Sequence, residues 1–177
     1  MKTFLAKIFL KTGDIKFNSR KILKTYDQAL SENCDLLIFP RMSLTGYPIY
    51  DLALDEKFID ENNRELEKIV EYTYSKKTKI LIGTPQFIDE YTNKDDIIKK
   101  SRLLDSVVFV NNGSIDCIVS KNTILKDNIF DDYRYFDKEV FLKYIEHDTL
   151  KFNILISDDI FENKNILFLK DRDNDFI

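Results

Sequence analysis

Three side chains able to do chemistry each follow a short apolar run: Arg41 after Leu36–Pro40, Lys121 after Ile115–Val119, and Ser157 after Phe152–Ile156. In a layered α/β sheet, positions just past the carboxyl ends of strands converge on one crevice. An Arg, a Lys and a Ser brought together there have two chemical readings. One is a Ser–Lys nucleophile pair, in which a neutral lysine takes the hydroxyl proton. The other is an anion pocket built on charge-assisted hydrogen bonds. The plain alternative is two solvated cations and a serine capping a helix. His147 is the only histidine, so His-based metal clusters and Ser-His-Asp chemistry have almost nothing to work with. Cys34 and Cys117 lie in apolar-flanked stretches and read as reduced, buried and inert. No metal site and no cofactor are expected.

The elements that would position these residues follow from pattern. Residues 4–10 alternate in the manner of a strand, and Gly13-Asp14 turns the chain. Asn18 or Ser19 is expected to cap a helix carrying Ile22, Leu23, Tyr26, Ala29 and Leu30 at helical spacing. Leu36–Phe39 reads as a buried parallel strand stopped by Pro40, and Arg41–Tyr50 as a loop. A second helix is expected over about 58–74, then a short strand over Ile80–Ile82 that ends at Gly83. Tyr91–Lys100 is polar and reads as a loop. Leu103–Val110 and Ile115–Val119 flank Asn112-Gly113, a strong hairpin signal. The chain is then irregular to about Phe136, with a further strand over Phe152–Ile156. This is an α/β layered sheet in one domain over residues 1–177, with no internal repeat and no linker.

Composition narrows the partners. Lys and Arg number 27 against 31 Asp and Glu, for a net charge of -4, which gives no basic face for non-specific nucleic-acid binding. No run approaches the ~20 apolar residues a membrane span needs. A cytoplasmic chain without nucleic-acid or membrane partners is expected.

The segment Phe39-Pro40-Arg41-Met42-Ser43-Leu44-Thr45-Gly46-Tyr47-Pro48 resembles the Phe-Pro-Glu-x-x-x-Thr-Gly-Tyr-Pro stretch of the nitrilase (carbon-nitrogen hydrolase) superfamily. Tyr50–Leu54 and Phe130-Asp131-Asp132-Tyr133-Arg134-Tyr135-Phe136 resemble the glutaminase domain of glutamine-dependent NAD synthetases. Ile156-Ser157-Asp158-Asp159-Ile160-Phe161 sits where that family has Ile-Cys-Glu-Asp-Ile-Trp/Phe. Gly13, Gly46, Gly83 and Gly113 fall where the family commonly has turns, and the likeness runs from Lys2 to about Phe161.

The resemblance implies a nitrilase-like α-β-β-α sandwich, here truncated, with the synthetase domain absent. It also implies glutamine amide hydrolysis by a Cys nucleophile, a Glu base and a Lys that stabilises the oxyanion. By position the nucleophile falls on Ser157, the base on Arg41 and the lysine on Lys121; only Lys121 matches. A guanidinium has no acceptor and does not deprotonate, so Arg41 is no base. Tyr47, Asp132, Asp158 and Phe161 occupy positions implied to hold glutamine or orient the catalytic groups. Asp132 and Asp158, both shortened from glutamates, are the local candidates to pair with Arg41 and Lys121. Leu125-Lys126-Asp127-Asn128 departs from the family's Pro-Asn-Tyr-Gly, and Asn153 replaces a glycine.

An inactive, degenerate glutaminase domain follows. The alternatives are a folded pseudoenzyme acting as a binding or regulatory subunit for glutamine or a small amide, and a weak Ser157/Lys121 amidase. With strands missing, the sheet is expected to expose an open edge and an apolar face, to be covered by self-association or a separate chain.

Overall fold

The computed structural model describes residues 1–91, 99–126, 129–139, 143–147 and 150–170. The expected 91–100 loop, the Asp127-Asn128 pair and the polar tail from 171 fall wholly or partly outside these. Strand β1 (Thr3–Leu5), helix α1 (Ile15–Ser31) and strand β2 (Leu36–Ile38) open the chain, followed by helix α2 (Glu56–Tyr72). Strands β3 (Lys79–Tyr91), β4 (Lys99–Asn111) and β5 (Ser114–Ser120) come next. A hairpin of β6 (Tyr144–His147) and β7 (Leu150–Asn153) precedes helix α3 (Asn163–Lys170).

The main sheet runs β1-β2-β3-β4-β5, parallel over the first three strands and antiparallel thereafter. Alternation sorts its side chains onto two faces. Leu37, Ile80, Ile82, Val108 and Val110 pack with Ile22 and Tyr26 of α1 and Leu66 and Ile69 of α2. Leu36, Leu81, Phe109 and Val119 face the other way and meet Ile145 and Phe152 of the β6–β7 hairpin. The layers are therefore helix, sheet, hairpin. The apolar face expected to lie open is thus partly covered by the chain's own hairpin. A cleft of about 310 Å³ remains beside it, among Ile38, Leu81, Phe152 and Ile154.

Several boundaries differ from expectation, for identifiable reasons. The first strand ends at Leu5 rather than Leu10. Its partner β2 stops at Ile38, Pro40 has no N–H to offer, and Ala6 N donates the last ladder bond to Ile38 O at 2.9 Å. Helix α1 is capped by Asp14, whose carboxylate accepts from Phe17 N, so the cap is neither Asn18 nor Ser19. Asn18 is instead fully buried and clamps a loop, as described below. The strand at Ile80 does not end at Gly83 but runs on to Tyr91, because β4 pairs with it throughout (Gly83 opposite Val107). The last strand is β7, ending at Asn153, with 154–156 outside any strand. The Asn112-Gly113 hairpin is present, with φ of 48° and 80° at the two turn residues. Gly83 lies within β3 rather than in a turn, and a Cβ there would lie 2.5 Å from Pro40 O and 2.6 Å from Arg41 Cα.

That close approach seats the Arg41 loop directly on β3. Gly83→Ala would press a methyl into backbone that cannot rotate away, and overpacking of this kind costs about 1–3 kcal/mol. Urea unfolding of the variant is expected to show a lower midpoint at an unchanged slope, by the upper end of that range.

Candidate functional site

The loop after β2 is built to hold Arg41 and Tyr47. Phe39 N donates to Leu81 O at 2.9 Å, Leu44 N and Ser43 Oγ both donate to Gly83 O, and Gly46 N closes a turn on Met42 O. Asn18 of α1 donates to Leu44 O and to Lys11 O while accepting from Lys11 N, tying the loop to the start of the helix. Gly46 has a φ of 75° and its Cα meets the Thr12 backbone, where a Cβ would lie at 2.5 Å.

Lys121 leaves the end of β5 with its N–H on Asp105 O at 2.8 Å. The next two backbone N–H groups, of Asn122 and Thr123, donate to Asp159 Oδ1 at 3.0 and 2.8 Å. Asp159 Oδ2 accepts from Ile156 N at 3.0 Å, so one buried carboxylate joins the Lys121 strand end to the Ser157 turn. Burial raises the pKa of Asp159 against the pull of those three N–H donors. Asn122 and Asn165 exchange side-chain hydrogen bonds at 2.9 Å, which anchors α3 to the same corner. Ser157 opens a 3-10 turn over Ser157–Phe161 with a left-handed φ of 53°.

These elements bring Arg41, Lys121, Asp132 and Asp158 into one network. Arg41 Nη2 donates to Asp132 Oδ2 at 2.7 Å, and Arg41 Nε donates to Asp105 Oδ2 at 2.5 Å. Lys121 Nζ donates to Asp158 Oδ2 at 2.7 Å and reaches Asp132 Oδ2 at 3.3 Å. Tyr47 donates its hydroxyl to Asp132 Oδ1 at 3.0 Å, and its ring lies under the Arg41 guanidinium, 4.0 Å from Cζ. The expected pairing of Asp132 and Asp158 with the two cations is present. Burial works against the charge on Arg41, but Asp105 and Asp132 outweigh it and raise its pKa. Burial pushes the Tyr47 phenol up to about 12.

Asp105 was not among the expected site residues. It is fully buried in β4, and burial raises its carboxyl to about 6 despite Arg41. Its Oδ1 finds no hydrogen-bond partner among the described residues. The available signal was an aspartate inside the apolar run Leu103–Val110, where a buried charge requires a counter-charge.

A cleft of about 520 Å³ opens beside the network, lined by Arg41, Tyr47, Leu125, Lys126, Phe130, Ser157 and Asp158. Small-molecule sites fall in this size range, ~300–1,000 Å³. Lys121 lies behind this surface, its side chain 1% exposed. Ser157 Oγ has Asp158 Oδ1 at 3.4 Å. Phe161 departs from the expected substrate set: at the far end of its 3-10 turn it is 75% exposed and does not line the cleft. Among the described residues no cluster of His, Cys, Asp and Glu could hold a metal ion. No helix among them is long and apolar enough to cross a membrane.

A family profile described as carbon-nitrogen hydrolase matches residues 5–176. The chain belongs to the carbon-nitrogen hydrolase family. The match continues past Phe161, where the recognisable sequence likeness was expected to stop. The glutamine-dependent NAD(+) synthetase of Aquifex aeolicus is 29% identical over 156 residues, covering 88% of this chain and 25% of the relative. That of Thermotoga maritima is 28% identical over 160 residues, covering 90% and 26%. The chain thus spans about a quarter of the length of these curated relatives. Among solved structures, the glutamine-dependent NAD+ synthetase of Acinetobacter baumannii superposes with a TM-score of 0.77 at 24% identity, over 96% of this chain and 30% of that one. A nitrilase-superfamily amidase of Nesterenkonia superposes with a TM-score of 0.73 at 12% identity, over 94% and 59%. The carbon-nitrogen hydrolase fold is the one expected from the sequence.

Two predictions follow from the charges. Asp132→Asn keeps the shape but leaves two buried cations with one carboxylate fewer; breaking a buried pair costs about 3–5 kcal/mol. Because Arg41 keeps Asp105 and Lys121 keeps Asp158, the lower end is expected in urea unfolding. Asp105 binds its proton more tightly folded than unfolded, so its contribution to stability is fully present below the unfolded pKa near 4. That contribution is lost as pH rises to about 6. Tm measured from pH 4 to 7 is expected to fall less steeply with pH in Asp105→Asn than in the parent chain.

Proposed function

We propose that this chain is a folded, non-hydrolytic carbon-nitrogen hydrolase domain that keeps the family's pocket for binding. The observation that carries the reading is Arg41, fixed by Asp105 and Asp132 at the position where the resemblance implies a catalytic glutamate. Amide hydrolysis needs a group that takes a proton from the nucleophile and returns one to the leaving amine. A guanidinium braced by two carboxylates can do neither.

The remaining residues support the same reading. Lys121 would have to lose a proton to activate Ser157, yet its ammonium donates to both Asp158 and Asp132. Ser157 has an adjacent carboxylate at 3.4 Å, and a hydroxyl is a far weaker nucleophile than the thiol it stands for. The Ser–Lys amidase alternative therefore has the least support. Arg41 is matched by the buried Asp105 of β4, which supports a stable folded domain over a fragment that cannot fold. Glutamine or a related small molecule is the ligand class, through the likeness to NAD synthetase glutaminase regions, and the setting is cytoplasmic.

The test is ammonia release from L-glutamine, with heat-killed protein and Ser157→Ala as controls. No release above the heat-killed control is expected; release that disappears in Ser157→Ala would overturn the reading. Restoring Arg41→Glu and Ser157→Cys together is also expected to give no more than marginal turnover. The new glutamate would face Asp105 and Asp132, where like charges repel and the site loses its counter-ion.

A further inference from the structure

The cleft beside the network presents a charge pattern suited to an acid. Arg41 Nε and Nη2 are committed to Asp105 and Asp132, and among the described residues no carboxylate takes the donors of Nη1. Lys126, exposed, lines the same cleft. The acidic partners sit on the buried side: Asp105 and Asp132 side chains are 1% and 3% exposed, whereas Arg41 is 19% exposed. Asp158 reaches the lining, but Lys121 holds its Oδ2 and Ser157 lies against its Oδ1. Among the described residues, the donors this surface leaves for a ligand are thus the Arg41 guanidinium and the Lys126 ammonium, beside an Asp158 carboxylate already countered by Lys121. Phe130, packed edge-on to Tyr47 at 5.0 Å, supplies an apolar wall beside them.

A neutral amide and a carboxylate of the same shape differ in what they ask of such a surface. The amide nitrogen needs acceptors, while both carboxylate oxygens accept and carry the charge that a guanidinium N–H and an ammonium favour. We infer that the Arg41–Lys126 cleft is a receptor for the side-chain carboxylate of a small acid, selecting acid over the isosteric amide. The inference rests on the non-hydrolytic reading above, since an active glutaminase would have to admit the amide.

The test compares L-glutamate with L-glutamine, which differ only in a side-chain carboxylate against a carboxamide, by ligand-observed NMR titration of the whole chain at neutral pH. L-Glutamate is expected to bind at least ten-fold more tightly. Arg41→Gln should abolish the preference. Because that variant also unpairs two buried carboxylates, Lys126→Glu serves as an exposed second probe; it should weaken glutamate binding several-fold at unchanged Tm. Equal affinities, no binding of either, or a preference untouched by Lys126→Glu would overturn the inference. The same spectra read conversion of glutamine to glutamate. Conversion would overturn the non-hydrolytic reading, whereas equal affinities without conversion would overturn the receptor alone.

Discussion

Two cations in this fold share a single carboxylate oxygen, and the arrangement of the site depends on it. Arg41 and Lys121 both donate to Asp132 Oδ2, at 2.7 and 3.3 Å, with Asp105 and Asp158 taking their remaining charge. Five chain segments meet here: the loop after β2, strand β4, the end of β5, and the turns at 132–134 and 157–161 that bring the other two aspartates. In a low-dielectric interior none of these charges is tolerable alone. Each segment is therefore held in place by the others' charge.

The backbone shows what that costs. Met42, Asp131 and Ser157 have φ of 51°, 52° and 53°, and each is the immediate neighbour of a network residue: Arg41, Asp132 and Asp158. Left-handed backbone at a residue bearing a Cβ costs roughly 1–3 kcal/mol and persists only where the surroundings over-determine it. The ion pairs, together with the Asp159 clamp and the Gly83 and Gly46 contacts, are those surroundings. The strained turn at Ser157 displays its hydroxyl at the cleft that Arg41 also lines.

The sheet order's local parts were legible in the sequence, and its long-range parts less so. The Asn112-Gly113 hairpin and the Leu36–Ile38 strand carry their own signals in turn chemistry and apolar runs. The length of β3 does not, because its extension past Gly83 depends on pairing with β4, from Thr84 opposite Ser106 to Tyr91 opposite Lys99. The Asp14 cap was hidden by two equally good capping residues, Asn18 and Ser19, whose side chains tertiary contacts draw elsewhere. At the site, Arg41, Lys121, Ser157, Asp132 and Asp158 were legible from strand ends and motif likeness. Asp105 was not, since only the fold shows that β4 runs beneath the Arg41 loop. Phe161 matched a motif yet is exposed and does not line the cleft.

Arg41 is held in a buried charge network by Asp105 and Asp132. A double-mutant cycle on Arg41→Met and Asp132→Asn, read by urea unfolding, tests it most directly. If the two side chains act as one buried pair, the double variant should be more stable than the summed single losses predict, by about 2–3 kcal/mol of coupling. Additive losses, with coupling below about 0.5 kcal/mol, would contradict the account.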